Sequence, residues 1–146
     1  MLSALALYAR LGIASRVPVK SAIKPVIWIG STKADLATFP EDVKDAVGHA
    51  LYIAQQGGKH PDARPLRGFG SAGVLEIVED YAGSTYRAVY TVRLGTRIYA
   101  LHAFQKKSKV GIKTPKPEID LIKARLRRAE EEHASWLAAQ KGATNP

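Results

Sequence analysis

The chain of 146 residues contains no cysteine. That absence excludes a disulfide framework and every thiolate metal site, and it suits a reducing compartment such as the cytoplasm. No apolar run approaches the roughly 20 residues that a membrane-spanning helix requires, so an integral helical membrane protein is excluded too. The N-terminal run Leu2-Ser3-Ala4-Leu5-Ala6-Leu7-Tyr8 is too short, and Arg10 follows it instead of preceding it as in a secretory signal. Metal-ligand patterns are missing as well. His49, His60, His102 and His133 fall on four different expected elements without ligand spacing, and no paired-aspartate motif occurs. The glycines of Arg67-Gly68-Phe69-Gly70-Ser71-Ala72-Gly73 precede a strand instead of opening a helix, so they read as a hairpin connection and not as a nucleotide-phosphate loop. No metal and no cofactor are expected.

Negative charge is absent from two long stretches. Between Met1 and Lys33 there are five basic residues and no acid. Between Gly95 and Pro117 there are six basic residues, Arg97, Lys106, Lys107, Lys109, Lys113 and Lys116, and again no acid. Glu41, Asp42 and Asp45 cluster between the two blocks. In total, 22 Lys+Arg against 13 Asp+Glu leave a net charge of +9, which attracts polyanions and raises their encounter rate. Nucleic acid is the first candidate partner; an acidic protein or an anionic membrane surface are the others. The second basic block lies within patterned sequence, which puts its cations on the folded body.

With 46% hydrophobic and 24% charged residues, the composition is that of a packed globular domain rather than a disordered chain. Residues 1–24 carry no such pattern and read as a flexible N-terminal extension, in preference to an organelle transit peptide. Pro25-Val26-Ile27-Trp28-Ile29 is a short strand closed by Gly30-Ser31. Ser31 or Thr32 caps a short helix through Leu36, and Pro40 opens a second, whose Val43, Val47, Ala50, Leu51 and Ala54 recur at helical spacing. Gly57-Gly58 ends it. A short strand around Pro65–Gly68 is followed by three more, Gly73–Glu79, Thr85–Val92 and Arg97–Phe104, separated by Ala82-Gly83-Ser84 and Leu94-Gly95-Thr96 turns. A Lys/Gly/Pro loop leads into a final helix from Pro117 to about Gln140. Ile119, Ile122, Leu126, Ala129, His133 and Trp136 form its apolar stripe, and Arg125, Arg127, Arg128 and Glu132 lie on the opposite side. The expected fold is α+β, with two N-terminal helices and a C-terminal helix packed on a small antiparallel sheet. The domain is expected to span 25–140, with 141–146 a disordered tail.

The residues left over for chemistry are cations. Arg87 lies mid-strand between Tyr86 and Tyr90, and a charge there costs several kcal/mol if buried unpaired. It must either pair with Glu76 or Glu79 on the neighbouring strand or face a solvated groove. Lys106 and Lys107 follow Phe104 at the end of the next strand, where they are either a solvated strand end or part of that groove. Histidine is the residue type that can exchange a proton near neutral pH, and His102 shares a strand face with Phe104 if alternation is strict.

The ordered set Gly73-Val74-Leu75-Glu76-Ile77, Thr85-Tyr86-Arg87-Ala88-Val89-Tyr90, Leu101-His102-Ala103-Phe104-Gln105-Lys106-Lys107-Ser108 and Lys113-Thr114-Pro115 resembles the HigB-like toxins of the RelE/ParE superfamily. Where the family's Glu-Leu-Arg strand offers an arginine, this chain has Val78. The resemblance implies a RelE/ParE-like fold and the toxin of a type II toxin–antitoxin system. Its implied activity is metal-independent endoribonuclease cleavage of mRNA at the ribosome, its implied partner a cognate helix-turn-helix antitoxin, and its place the cytoplasm, away from membranes. Attack of a 2′-hydroxyl on the adjacent phosphate builds negative charge that fixed cations stabilise. On this reading Arg87, Lys106, Lys107 and His102 are the catalytic candidates, and Arg67, Arg97, Lys109 and Lys113 bind RNA phosphates. Arg87 suits bidentate phosphate contact, and a lysine among cations can act as a base. Relatives of the ParE kind instead inhibit gyrase, so one fold admits a non-nucleolytic inhibitor of a protein target; a phage-derived nucleic-acid-binding module is a third alternative.

Overall fold

The computed structural model describes residues 23–106 and 113–144, with side chains described through Gly142. Eight elements follow one another: β1 (Val26–Trp28), α1 (Thr32–Ala37), α2 (Glu41–Gln55), β2 (Arg64–Pro65), β3 (Val74–Tyr81), β4 (Ser84–Thr91), β5 (Ile98–Lys106) and α3 (Lys116–Thr144). The α+β class expected from the sequence is present. Lys24, assigned to the extension, already belongs to the fold: its N–H donates to Gln55 O at 3.0 Å, and Gln55 Nε2 donates to Lys24 O at 2.7 Å. At the other end α3 continues past Gln140 to Thr144. The remainder of the proposed extension and residues 145–146 lie outside the described residues.

Local chemistry accounts for the boundaries. Thr32 Oγ1 donates to Ile29 O at 2.6 Å and turns the chain out of β1 into α1. Pro40, with φ −55°, precedes α2, and Glu41 and Asp42 in its first turn complement the positive end of the helix dipole. Between β3 and β4 only Ala82 and Gly83 intervene, with φ of 51° and 82°. Both residues lie in the left-handed region that a two-residue hairpin turn requires.

The five strands form one sheet in the order β1-β5-β4-β3-β2. The expectation of an antiparallel sheet needs correction, because β1 runs parallel to β5, Val26 opposite Ile98 and Trp28 opposite Ala100. Every other pairing is antiparallel. Tight turns force β3, β4 and β5 to alternate in direction, whereas β1 reaches β5 through two helices and three strands and is free of that constraint. The helices are also arranged differently from the expected common packing. Val43, Val47, Ala50, Leu51 and Ala54 of α2 pack with Leu75, Ile77, Ala88, Tyr90 and Ile98 on one face of the sheet. Ile122 and Ala129 of α3 pack with Val74, Val89, Tyr99 and Leu101 on the other. The sheet is thus the middle layer of three, and burying an aliphatic side chain on either face stabilises by about 1.5–3 kcal/mol.

A bulge in β5 sets the phase of the site. Tyr90 is opposite Ala100 but Val89 is opposite His102, so Leu101 is the extra residue. Ile98 consequently packs toward α2, while Leu101, His102 and Phe104 lie on the α3 side. Strict alternation would have put Ile98, Ala100, His102 and Phe104 on one face.

Tyr90 carries a testable irregularity. It is 1% exposed, and its hydroxyl has no hydrogen-bond partner among the described residues. Burial pushes its pKa up to about 12. The folded state therefore holds this proton more tightly than the unfolded chain, whose tyrosine titrates near 10. The corresponding stability is complete below pH of about 10 and is lost as pH rises towards about 12. Tyr90→Phe is expected to remove that alkaline loss and to hold or raise stability at neutral pH by about 1 kcal/mol, since an unsatisfied buried hydroxyl is deleted. Denaturant unfolding at pH 7 and at about pH 11, the middle of that window, checks both parts.

Candidate active site

The α3-facing side of the sheet carries a polar row in place of core residues. Register places Arg64 of β2 opposite Glu76 of β3, Glu76 opposite Val89 of β4, and Val89 opposite His102 of β5. The next row holds Val78, Arg87 and Phe104. Thr114, just before α3, and Glu118 and Arg125 within it reach onto this face.

Arg87 and Glu76 form the floor. Their side chains are 3% and 6% exposed, and Arg87 Nη1 donates to Glu76 Oε2 at 3.0 Å. The same nitrogen donates to Thr114 Oγ1 at 3.0 Å, and Thr114 Oγ1 donates to Glu76 Oε2 at 2.8 Å. Arg64 Nε stands 3.7 Å from Glu76 Oε1. Of the two arrangements open to a mid-strand arginine, the structure has the salt bridge, and of the two acids available it uses Glu76. A buried pair is best held where hydrogen bonds satisfy the remaining donors and acceptors; Thr114 meets part of that need from the loop side, while Arg87 Nε is buried without a hydrogen bond among the described residues. The Lys113-Thr114-Pro115 step is thereby tied to the centre of the sheet.

Above this floor lies a cleft of about 230 Å³ whose walls include Arg64, Leu66, Arg67, Lys113 and Thr114. Arg87 balances the one acid in it, Glu76, so Arg64, Arg67 and Lys113 leave the cleft with a net positive charge. Lys106 fastens the rim: its Nζ donates to Lys113 O at 2.8 Å. Among the sequence candidates, Arg67, Arg87, Lys106 and Lys113 are therefore brought together. Arg97 is not among them. It precedes β5, at the opposite end of that strand from Lys106, and its guanidinium lies 4.4 Å from the Trp136 ring. Beside it Tyr99 Oη and His133 Nδ1 are 3.1 Å apart, anchoring the later turns of α3. Lys107 and Lys109 lie outside the described residues.

His102 sits at the β5 end of the polar row. Its side chain is 7% exposed, its ring stacks on Phe104 at 4.9 Å, and its Nε2 meets the carboxylate of Glu118. Arg125 Nη1 lies 3.1 Å from Nδ1 and donates to Leu101 O at 3.0 Å. Arg125 Nη2 donates to Ser31 Oγ at 3.1 Å. Gly30, at φ +59°, makes room for that guanidinium, because a Cβ there would stand 3.0 Å from it. Placing Arg125 on the outer side of the last helix thus needs correction: it turns back onto β5 and the start of α1, where its planar fork finds several acceptors at once. Arg64, Thr114, Glu118 and Arg125 are the site residues that sequence reasoning did not assign, whereas Glu76 entered it as a possible partner of Arg87. The available signal for Arg125 was its being in step with Ile122 and Ala129.

Among the described residues no three His, Cys, Asp or Glu side chains are grouped to hold a metal ion, and no helix is long and apolar enough to cross a membrane.

The family model described as Phage derived protein Gp49-like (DUF891) matches residues 34–127, well over half of the chain. The chain belongs to the phage-derived Gp49-like family. That is a family of RelE/ParE-like toxins, and it is associated with toxin–antitoxin systems. The Gp49-like match runs from within α1 to the middle of α3 and so includes the cleft, the Arg87–Glu76 floor and the His102–Glu118–Arg125 group. No curated protein and no solved structure matches the chain.

Proposed function

We propose that this Gp49-like protein is a toxin of the HigB-like branch, a metal-independent endoribonuclease that cleaves mRNA at the ribosome in the cytoplasm and is held inactive by a helix-turn-helix antitoxin. The observation that carries the reading is the positively charged cleft formed by Arg64, Arg67 and Lys113 over the Arg87–Glu76 floor. Cations fixed around a narrow cleft stabilise the charge that builds on a phosphate's non-bridging oxygens during 2′-hydroxyl attack. Lys106 contributes by holding Lys113 in place. Lys107 follows it directly in sequence, and Lys109 and Lys113 extend the cationic run along which an RNA backbone tracks. Arg87 holds the floor by pairing with Glu76.

Induced expression of the chain alone is expected to arrest bacterial growth, and co-expression of a neighbouring helix-turn-helix gene to restore it. Primer extension on ribosome-bound mRNA should show new 5′ ends during arrest. Soluble protein with neither arrest nor cleavage would remove the reading. The burial of Arg87 and the presence of Val78 favour one alternative, a ParE-like inhibitor of a protein target such as gyrase, because both reduce the cations open to RNA. Arrest with intact mRNA is its signature.

A further inference from the structure

We propose that Glu118, backed by His102 and Arg125, is the general base of RNA cleavage; this rests on the endoribonuclease reading above. Three observations converge on it. First, His102 has both ring nitrogens engaged inside the fold. Arg125 Nη1, a donor only, lies 3.1 Å from Nδ1. Nδ1 therefore accepts, and Nε2 carries the hydrogen that points at Glu118 Oε2. The imidazole is spoken for, and at 7% exposure it is out of reach of a substrate hydroxyl.

Second, Glu118 is the end of this chain of bonds that meets solvent, with its side chain 31% exposed. Its orientation is set from behind by His102, and that of His102 by Arg125, which is itself held by Leu101 O and Ser31 Oγ. Third, the pair lies on the same face as the cationic cleft. His102 and Glu76 occupy one row two strands apart, a separation of roughly 10 Å.

In the reaction the Glu118 carboxylate takes the proton of a 2′-hydroxyl. The 2′-oxygen forms a bond to the adjacent phosphorus as the bond from phosphorus to the 5′-oxygen breaks. The departing 5′-oxygen takes a proton from water, and Glu118 returns its own proton to solvent. The products are a 2′,3′-cyclic phosphate and a 5′-hydroxyl. No oxidant, reductant or second substrate enters. His102 and Arg125 are positioning residues: they aim the carboxylate and do not exchange protons with RNA.

The test measures cleavage of ribosome-bound mRNA and of a free single-stranded oligoribonucleotide by the full chain, with kcat and KM separated and thermal stability recorded. Glu118→Gln keeps the size of the side chain and an oxygen that accepts from His102, and it is expected to lower kcat about a hundred-fold or more with KM nearly unchanged. Arg125→Gln should lower kcat by roughly ten-fold, a smaller loss than that of the base itself, and Arg125→Lys should recover part of it by restoring a cationic donor. Wild-type cleavage together with a wild-type kcat for Glu118→Gln would overturn the assignment. If Glu118→Gln proves unstable, Glu118→Asp decides, since withdrawing the carboxylate by one methylene should still depress kcat, and an undiminished kcat counts against the proposal. A wild-type protein that arrests growth yet cleaves neither RNA would instead overturn the endoribonuclease reading, and this assignment with it.

Discussion

Arg87→Ala is expected to destabilise the protein by about 3–5 kcal/mol, because it leaves the Glu76 carboxylate buried without its charge partner. The two side chains are 3% and 6% exposed and joined at 3.0 Å. Arg64, at 3.7 Å and half-exposed, is too far away and too well solvated to replace Arg87. Thr114 would lose one of the two bonds that its hydroxyl makes to the sheet. Chemical denaturation of the purified variant measures the loss. The double change Glu76→Leu with Arg87→Met removes both charges while keeping most of the volume. Replacements of that kind range from neutral to stabilising by about 1–4 kcal/mol, so the double variant should be far more stable than the single one. A double variant as unstable as Arg87→Ala would show that the pair is not what holds this region. The double variant also isolates catalysis from folding. If the positive field of Arg87 contributes to cleavage, the double variant is folded but slow, by up to the hundred- to thousand-fold typical of one fixed donor. Arg87→Lys should recover little stability, since its ammonium ends about one bond short of the Nη1 that donates to both Glu76 and Thr114.

The second large effect is expected on RNA affinity. Changing Arg64, Arg67 and Lys113 together to Gln should weaken binding to a single-stranded RNA by about a thousand-fold, on the basis of roughly ten-fold for each charge-assisted hydrogen bond to a phosphate. The dependence of log K on log salt should become shallower by about 0.7 for each phosphate that is no longer neutralised. Filter binding across a salt series reads both quantities on one preparation. Stability should change little, because these side chains line an open cleft and the core does not depend on them. Arg97→Gln is the useful contrast. Its guanidinium rests on Trp136, so its removal should cost stability near the far turns of α3, with a small effect on the salt slope. An unchanged slope in the triple variant would remove the cleft from the RNA path.

Much of this protein was legible in the sequence, and the physical basis for that is local periodicity. The spacing of Val43, Val47, Ala50, Leu51 and Ala54 defined both α2 and its buried face, and these five are the residues of α2 that are buried. The alternating stretches around Leu75, Tyr90 and Leu101 marked three of the strands, and the Gly83 and Gly95 turns separated them. The gathering of cations on the folded body was visible from where acids were missing.

What tertiary structure alone decided concerns direction, face and partner. A period of two says which residues of a strand point the same way but is blind to strand direction, so nothing in Val26–Trp28 distinguished a parallel from an antiparallel edge. The bulge at Leu101 adds one residue without any break in the apolar pattern, yet it determines that His102 faces α3. Glu76 meets Arg87 eleven residues along the chain and Thr114 thirty-eight residues along it; only the register of β3 on β4 and the path into α3 bring the three together. Arg125 reads as a solvated helix charge until β5 and α1 supply its acceptors. Sequence patterns record how each segment divides inside from outside, whereas the pairing of charges is settled by register and crossing, which belong to the whole fold.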